Sequence, residues 1–274
     1  MTESLVDAPD GARLAVTVDG DGPPLLLIPG LGATRVVFAP LMPLLTAHFS
    51  VAVYDQRGIG ASQVTTGPYT TAQLAGDGAA VLGAVLVDRA TVFGASFGGL
   101  VAQAVAVEYP DRTAALVLAA TGPGAAHLAE EPDPAAVQAL LGKGARSPEE
   151  AYRIACTVLY SRSFQEAHPE FIEQQVRDRA TRPIDGRAFR AQLDASKAHD
   201  VWDRLPSITV PTLVMHGSDD AVMPLANARL LAERIPGATM VVFDGAGHLF
   251  FHEEPERTAA VLEEFVRGIS SPPG

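Results

Sequence analysis

The sequence predicts an α/β protein with a mostly parallel, doubly wound sheet of about eight strands and one helical insertion. Short apolar runs alternate with helical patterns along the chain, which is typical of an open sheet covered by helices on both faces. The later runs lack polar alternation, as expected for strands buried on both sides. A long stretch, residues 122–206, carries no strand signal and indicates an insertion.

Seven runs rich in apolar or β-branched residues, each ended by turn residues, predict strands at 13–19, 24–30, 50–55, 90–96, 114–121, 211–217 and 239–245. Apolar residues at three- and four-residue spacing predict helices at 71–86, 98–110, 225–235 and 255–269. The residues "SSPPG" at the end of the chain predict a frayed tail.

The insertion is rich in Ala, Glu, Arg and Pro and predicts about four helices. One of them begins at "SPEE", where Ser147 is the expected N-cap, Pro148 the first helical residue and Glu150 the partner that closes a capping box. The predicted organisation is therefore a core formed by residues 1–121 and 207–274, with a helical cap at 122–206.

Composition limits the classes of function. The chain has 274 residues, 47% of them hydrophobic, and no apolar run approaches the ~18 residues that a membrane helix needs. A net charge of −12 argues against nucleic acid or an anionic membrane as a partner. Cys156 is the single cysteine, so an internal disulfide and a multi-cysteine zinc site are excluded. The acidic amino terminus lacks the basic patch of a signal peptide, which favours a cytoplasmic location.

The strongest motif is "VFGASFGGL", in which Gly94, Ser96 and Gly98 fit Gly-x-Ser-x-Gly between a predicted strand and a predicted helix. This is the context of a nucleophile elbow. A serine that protrudes from so sharp a turn has a strained backbone, and side chains two residues away on either side would collide with it. Ser96 is therefore the candidate nucleophile, and the backbone N–H of Phe97, near the free amides of the helix start, is a candidate oxyanion donor.

A serine nucleophile needs a base, and histidine is the side chain suited to that task near neutral pH. His248 lies on a glycine-rich loop after the last predicted strand, at the edge where open α/β sheets build their sites. His252 is the alternative, but it lies at the expected start of the final helix, where a surface or capping role is predicted. Four further histidines are predicted to be structural or exposed: His48, His127, His168 and His199.

The base in turn needs a carboxylate that fixes its tautomer. "VMHGSDDAVMP" follows a predicted strand and lies between Ser96 and His248, the chain order expected for this architecture. It offers two acids, Asp219 and Asp220. Asp219 is the nearer to the strand end and can also serve to shape the turn. The residues alone leave both acids open.

Five segments together resemble the α/β-hydrolase fold superfamily: "LLLIPGLGAT", "YDQRGIGAS", "VFGASFGGLVAQAVAVEYPDR", "VPTLVMHGSDDAVMP" and "FDGAGHLFFHEEPE". Within it the chain is most similar to small esterases and lactonases such as the 3-oxoadipate enol-lactone hydrolases. The resemblance implies that Asp220 is the acid, by its spacing from Gly217 and Pro224. It also implies that the N–H of Leu31 is the second oxyanion donor. Family members often carry His-Gly where this chain has Pro29-Gly30.

Two other site types find less support. "GLGATR" follows a predicted strand and Asp55 ends the next one, as in a dinucleotide site, but Arg35 replaces the third glycine. His216 and Asp220 lack a third metal ligand, and Glu256 stands where a zincin has its second histidine. Neither a cofactor nor a metal is therefore expected.

Two groups of residues have both a substrate-binding and a structural interpretation, and the structural one is favoured for each. Turn chemistry predicts a loop-shaping role for Asp55, Arg57, Gly58 and Gly60. Single aromatics in a helical segment predict core positions for Tyr160, Phe164, Phe171 and Trp202.

The leading hypothesis is an enzyme, a hydrolase of carboxylesterase or lactonase type. It would cleave a small-molecule ester or lactone through an acyl-enzyme on Ser96, with His248 as base, Asp220 as orienting acid and the insertion selecting substrate. The alternative is a non-hydrolytic or carbon–carbon bond-cleaving reaction, such as that of a lyase or cyclase, on the same three residues. A third hypothesis is a ligand receptor on this fold, which an intact set of nucleophile, base and acid disfavours.

Overall fold

An eight-stranded sheet forms the centre of the computed structural model, which describes residues 2–85, 88–181 and 184–270. Its strands are β1 (Thr2–Asp7), β2 (Arg13–Asp19), β3 (Pro24–Ile28), β4 (Ser50–Tyr54), β5 (Ala90–Ala95), β6 (Thr113–Ala119), β7 (Thr212–Gly217) and β8 (Thr239–Phe243). Their order in the sheet is β1-β2-β4-β3-β5-β6-β7-β8. The strands β3 to β8 are parallel, whereas β2 runs antiparallel to both β1 and β4.

The predicted fold class is confirmed, and the seven predicted strands are all present. The strand that the sequence pattern missed is β1, which lies at the edge of the sheet and buries only Val6 among its six residues. Its neighbour Leu5 has a relative exposure of 57%. An edge strand with one buried side chain lacks the apolar run by which the inner strands were recognised.

Helices cover both faces of this sheet. They are α1 (Met42–Leu45), α2 (Thr71–Ala84), α3 (Phe97–Glu108), α4 (Pro134–Leu140), α5 (Pro148–Leu159), α6 (Arg162–Ala167), α7 (Pro169–Ala180), α8 (Gly186–Lys197), α9 (Leu225–Arg234), α10 (Phe250–Glu253) and α11 (Pro255–Ser270). The four predicted core helices correspond to α2, α3, α9 and α11. The predicted last residue of the first, Leu86, lies outside the described residues, as does the tail after Ser270.

Alternate residues of β3 show how the two faces are filled. Leu26 and Ile28 pack into a cluster with α2, α3 and α9, and Leu25 and Leu27 pack into a cluster with α1 and α11. Because side chains alternate across a strand, a strand that is covered on both faces must be apolar throughout. This explains the absence of polar alternation in the sequence. No helix within the described ranges is long and apolar enough to cross a membrane.

The insertion between β6 and β7 contains five α-helices, α4 to α8, where the sequence predicted about four. Two of these helices, α6 and α7, are separated only by His168, whose φ is −130° and ψ is 50°. Pro169 follows, and a residue before proline is disfavoured in the helical conformation. Ser147 is the N-cap of α5 as predicted, and its hydroxyl accepts from Glu150 N. The Glu150 carboxylate accepts from Arg146 N, one residue before the position that a capping box predicts.

The loop after β4 is held by buried charges. The fully buried Arg57 guanidinium donates to Asp77 (2.6 and 2.7 Å) and to Asp10 (2.7 and 3.2 Å). Asp55 accepts from the N–H groups of Arg35 and Ala61 and from the Arg35 guanidinium. These contacts support the structural interpretation of Asp55 and Arg57, because both side chains are occupied within the protein.

His252 lies inside the protein, so the predicted surface or capping role is wrong. Its relative exposure is 4%, and it bridges the insertion to the core. The ring donates from Nε2 to the carbonyl of Val37 (2.6 Å), which leaves Nδ1 to accept from the hydroxyl of Tyr160 (2.9 Å). Burial lowers the pKa of His252 to about 4, against a smaller opposing effect of the Val37 hydrogen bond. Burial likewise lowers the pKa of His199 to about 4.

Protonation of these histidines makes stability depend on pH. Between the ordinary histidine pKa of about 6.5 and the folded value of about 4, the unfolded chain binds more protons than the folded one. The free energy of unfolding should therefore decrease as the pH falls through this window, by up to about 3 kcal/mol for His252. Urea denaturation at pH 7, 5.5 and 4.5 measures the slope, which should be smaller in His252→Gln.

Tyr160→Phe is the matched control, since it removes the same hydrogen bond without removing the titrating ring. It should lower stability at every pH and keep the wild-type slope. An unchanged slope in His252→Gln would contradict the assignment.

Candidate active site

Ser96 occupies the sharp turn between β5 and α3. Its φ of 55° and ψ of −121° lie outside the conformations that a non-glycine residue normally adopts, which is the strain expected of a nucleophile elbow. A Cβ at Gly94 would overlap the carbonyl of Gly98, and a Cβ at Gly98 would overlap the carbonyls of Ile28 and Pro29. Both glycines are therefore required by close backbone approach. Ser96 itself is partly exposed.

Two backbone segments run beside the Ser96 side chain. Phe97 is the first residue of α3, where N–H groups have no acceptor within the helix. The segment after β3 also lies close to Ser96, because a Cβ at Gly30 would lie 3.3 Å from the Ser96 Cβ and 3.8 Å from its Oγ. Leu31 follows directly. The two predicted oxyanion donors thus belong to segments that flank the candidate nucleophile.

His248 and Asp220 are joined by a hydrogen bond of 2.8 Å between Nδ1 and Oδ2, and both side chains are buried. The other carboxylate oxygen of Asp220 accepts from the N–H groups of Val222 and Met223, both at 2.8 Å. Asp219 is exposed, and its carboxylate accepts from the hydroxyl of its neighbour Ser218. Only one acid of the adjacent pair therefore contacts the histidine.

His216 is a second histidine beside the same carboxylate. Its Nε2 lies 2.7 Å from the carbonyl of Met223 and 3.2 Å from Oδ2 of Asp220. A carbonyl can only accept, so Nε2 carries the proton and is shared between the two oxygens. The sequence drew attention to His216 only as an incomplete metal ligand. His216 lies on β7, four residues before Asp220. This spacing is the feature of the sequence that could have indicated its contact with the acid.

The electrostatics of Asp220 follow from these contacts. Burial alone would raise the pKa of this carboxyl, but the nearby charge of His248 and the hydrogen bonds from His216 and His248 outweigh burial and hold the pKa below the usual range. Asp220 is therefore ionised at neutral pH. A buried carboxylate that accepts from Nδ1 of a histidine keeps a proton on that nitrogen and leaves Nε2 free to act as a base.

The loop that carries His248 is fixed by the insertion. Leu249 N donates to the carbonyl of Leu159 at the end of α5 (2.8 Å). The Glu253 carboxylate accepts from Gly247 N (3.1 Å), from Ser161 N (2.7 Å) and from the Ser161 hydroxyl (2.6 Å). Sequence reasoning missed Glu253, which follows His252 in "FFHEEPE" and was given no role.

Ser96, Asp220 and His248 follow β5, β7 and β8, so all three lie at the carboxyl edge of the parallel strands. Within the described residues no hydrogen bond joins the Ser96 hydroxyl to the His248 ring. Catalytic hydrogen bonds are commonly long or poorly aligned before substrate binds. The two residues share this edge of the sheet, and Asp220 holds the orientation of the His248 ring.

An open groove of about 980 Å³ lies nearby, between the insertion and the segment after β7. Its lining includes Glu131 and Thr157 of the insertion and Ser218, Asp220 and Arg229 of the core. Neither Ser96 nor His248 lines it. The groove therefore lies beside the acid.

The competing site types can be examined on the same geometry. Asp55, the candidate ribose-binding acid, is occupied by Arg35 and Ala61. In the described part of the chain, no three or more side chains of His, Cys, Asp or Glu are grouped in a way that could hold a metal ion. At the carboxyl edge of the sheet, His248 and Asp220 form a hydrogen-bonded pair.

Comparison with known proteins agrees with this architecture. Residues 23–255 match the family model described as alpha/beta hydrolase fold. A poly(3-hydroxyalkanoate) depolymerase of Ectopseudomonas oleovorans is 34% identical over 246 residues, covering 89% of this chain and 84% of that protein. The 3-oxoadipate enol-lactonase 2 of Acinetobacter baylyi is 30% identical over 247 residues, covering 90% of each. Among solved structures, a thermophilic esterase from Thermogutta terrifontis superposes with a TM-score of 0.83 at 30% identity, covering 99% of this chain and 100% of that one. The chain therefore belongs to the alpha/beta hydrolase fold family.

Proposed function

We propose that this protein is a serine hydrolase that cleaves a small carboxylic ester or lactone through an acyl-enzyme on Ser96. The observation that carries the proposal is the buried hydrogen bond between His248 and Asp220, formed at the sheet edge where Ser96 protrudes from its strained turn. In this proposal His248 is the base and then the acid, and Asp220 orients it.

The reaction would proceed in two halves. The Ser96 oxygen attacks the substrate carbonyl while Nε2 of His248 takes the hydroxyl proton, and the carbonyl oxygen becomes an oxyanion that accepts from the N–H groups of Phe97 and Leu31. Collapse of this intermediate breaks the acyl C–O bond, and the leaving alkoxide takes the proton from His248. Water then repeats the sequence on the acyl-enzyme, releases the carboxylic acid and restores Ser96.

The substrate class is supported by the relatives. Their names describe an esterase, an enol-lactonase and a depolymerase of a polyester, all of which act on carboxylic ester linkages. A net charge of −12 and the lack of a basic cluster support a small molecule as the partner in preference to nucleic acid or an anionic membrane. The cytoplasmic location favoured by the sequence remains part of the proposal.

The insertion, residues 122–206, is proposed to be the cap that selects substrates. The reacting carbonyl is common to all esters and lactones, so the proposed nucleophile, base and oxyanion donors cannot distinguish one acyl group from another. Discrimination requires contacts to the rest of the molecule. The insertion packs over the site loops and forms no part of the sheet, which makes it the segment available for that role.

A fluorophosphonate probe should label one serine, Ser96, because only an activated hydroxyl reacts with it. Mass spectrometry of peptides locates the label, and Ser96→Ala should abolish it. Ser218→Ala, a serine on the loop that carries the acid, is the control and should label like the wild type. Stoichiometric labelling of Ser96→Ala would overturn the nucleophile assignment.

Asp220→Asn should preserve the fold but lower kcat by roughly 10³- to 10⁴-fold, because the histidine then favours the wrong tautomer. Asp219→Asn is the matched control and should cost much less, since its side chain is exposed and contacts Ser218. Steady-state kinetics on a p-nitrophenyl ester, with circular dichroism to verify folding, measures both. The reverse ranking would show that Asp219 is the acid.

Hydrolysis should incorporate one oxygen from water into the released carboxylate. A panel of small esters, lactones and vinylogous diketones, run in ¹⁸O-labelled water and analysed by mass spectrometry, tests this. Labelled acid from the esters or lactones, lost in Ser96→Ala, is expected. Turnover of the diketones alone would favour carbon–carbon bond cleavage, and turnover without incorporation would favour a non-hydrolytic reaction on the same residues.

A further inference from the structure

The segment after β3, which carries the proposed oxyanion donor Leu31, is held at both ends by buried glutamine side chains. Gln56 of the core donates from Nε2 to the carbonyl of Pro29 (2.7 Å). Gln192 of α8, within the insertion, accepts at Oε1 from the N–H of Gly32 (3.0 Å). Both glutamines are almost completely buried. Leu31 lies between the two anchored residues.

The backbone of this segment forms a turn whose internal geometry fixes the Leu31 N–H. Ala33 N donates to the carbonyl of Gly30 (3.2 Å), and Gly32 at the centre of the turn has a φ of 62°. A trans peptide is planar, so its N–H points opposite to its C=O. Since the Gly30 carbonyl points into the turn toward Ala33, the N–H of Leu31 points out of it. Rotation of the peptide at Gly32 would disturb this arrangement.

Helix α8 packs against the turn at Gly32. Gln192 and Phe189 lie three positions apart, on one face of the helix. A Cβ at Gly32 would lie 2.8 Å from Cδ2 of Phe189, so the ring covers the glycine closely. The Arg179 guanidinium donates to the carbonyl of Gly32 (3.3 Å), which adds a second polar contact from the insertion.

A buried glutamine at position 192 is energetically unfavourable in one respect, because one of its polar groups has no partner within the described part of the chain. A backbone N–H can only donate, so Oε1 must face Gly32, and the Nε2 group is left buried without a hydrogen-bond partner among the residues that the structure describes. An unsatisfied buried donor destabilises the folded state, and methionine, which has a similar volume, would not introduce one. What glutamine supplies and methionine cannot is the acceptor for Gly32 N.

We infer that Gln192 is a positioning residue through which the insertion sets the orientation of the oxyanion donor. This inference rests on the proposed function, since it gives Leu31 N–H the oxyanion role. Gln192 touches neither nucleophile nor base. It holds the turn so that the Leu31 N–H remains aimed at the position where negative charge develops, and the docking of α8 is thereby coupled to the rate of the chemical step.

Gln192→Met tests the inference directly. Loss of a whole oxyanion donor costs about 10²- to 10³-fold in kcat, so loosening one should lower kcat by about 10- to 100-fold and leave KM within about twofold. An alkyl boronic acid, which forms a tetrahedral adduct with the serine, should bind more weakly by a similar factor. The melting temperature is measured alongside.

Thr71→Val is the matched control. The Thr71 hydroxyl makes a buried hydrogen bond of 2.9 Å with His199, just beyond the end of α8, and does not contact the turn. This variant loses an anchor of the same region and should keep the wild-type kcat and boronate affinity. Equal losses of kcat in Thr71→Val and Gln192→Met would overturn the inference, as would a folded Gln192→Met with wild-type kcat.

Gln192→Glu provides a second readout if the methionine variant does not fold. A glutamate retains the acceptor for Gly32 N but, when ionised, places negative charge on the turn that carries the Leu31 N–H. Its kcat relative to wild type should therefore be highest at low pH and decrease as pH rises, and a constant ratio would overturn the inference. Ser96→Ala separates the proposed function from the role of Gln192. Activity of Ser96→Ala near the wild-type level contradicts the proposed function. A large loss of activity in Ser96→Ala together with wild-type activity in Gln192→Met contradicts only the role of Gln192.

Discussion

The candidate site depends on the close approach of α3 to the ends of β3 and β5. Gly98 lies against the carbonyls of Ile28 and Pro29, and Gly94 against the carbonyl of Gly98, at distances that no Cβ could tolerate. This contact forces the turn at Ser96 into its strained conformation. It also brings the start of α3 beside the segment that carries Leu31. One steric constraint thus assembles the candidate nucleophile and both flanking backbone donors, and the large buried surface of α3 maintains it.

The other half of the site is organised by a buried charge. A carboxylate removed from water is costly unless it is well paired. Asp220 meets that requirement through His248, the shared proton of His216 and two backbone N–H groups. The segment after β7 is therefore closed around the acid. Because one of these donors is the candidate base, the network that stabilises the charge also fixes the ring of His248.

Sequence reasoning succeeded where local pattern and global structure agree. Strands covered on both faces are apolar throughout, and the glycines at Gly94 and Gly98 mark a contact that only glycine permits, so the sheet and the Ser96 turn could be predicted. The edge strand β1 could not, because it buries a single side chain. The sequence predicted about four helices in the insertion, which contains five, and Pro169 marks the boundary between α6 and α7. The catalytic roles of Ser96, Asp220 and His248 stay predictions until they are tested.

Residues whose roles depend on contacts between distant segments were the hardest to predict. His252 was placed on the surface because its local sequence resembles a helix start, yet its partners Tyr160 and Val37 are far along the chain. Gln192 lies in a helix with no distinguishing pattern, and its partner Gly32 is 160 residues away. No periodicity or spacing reports such a pairing. The folded structure is needed to reveal it.

These distant contacts give the insertion a role in both halves of the site. Gln192 of α8 anchors the turn that carries Leu31, and Leu159 and Ser161 anchor the loop that carries His248. A cap that only covered the substrate would touch the core at its rim and would influence binding alone. Here its helices are hydrogen-bonded to backbone groups one or two residues from the proposed donor and base, so its docking fixes their geometry. Small errors in such geometry are costly in rate, so the proposed role of the insertion in substrate selection would be constrained by the chemistry of the core.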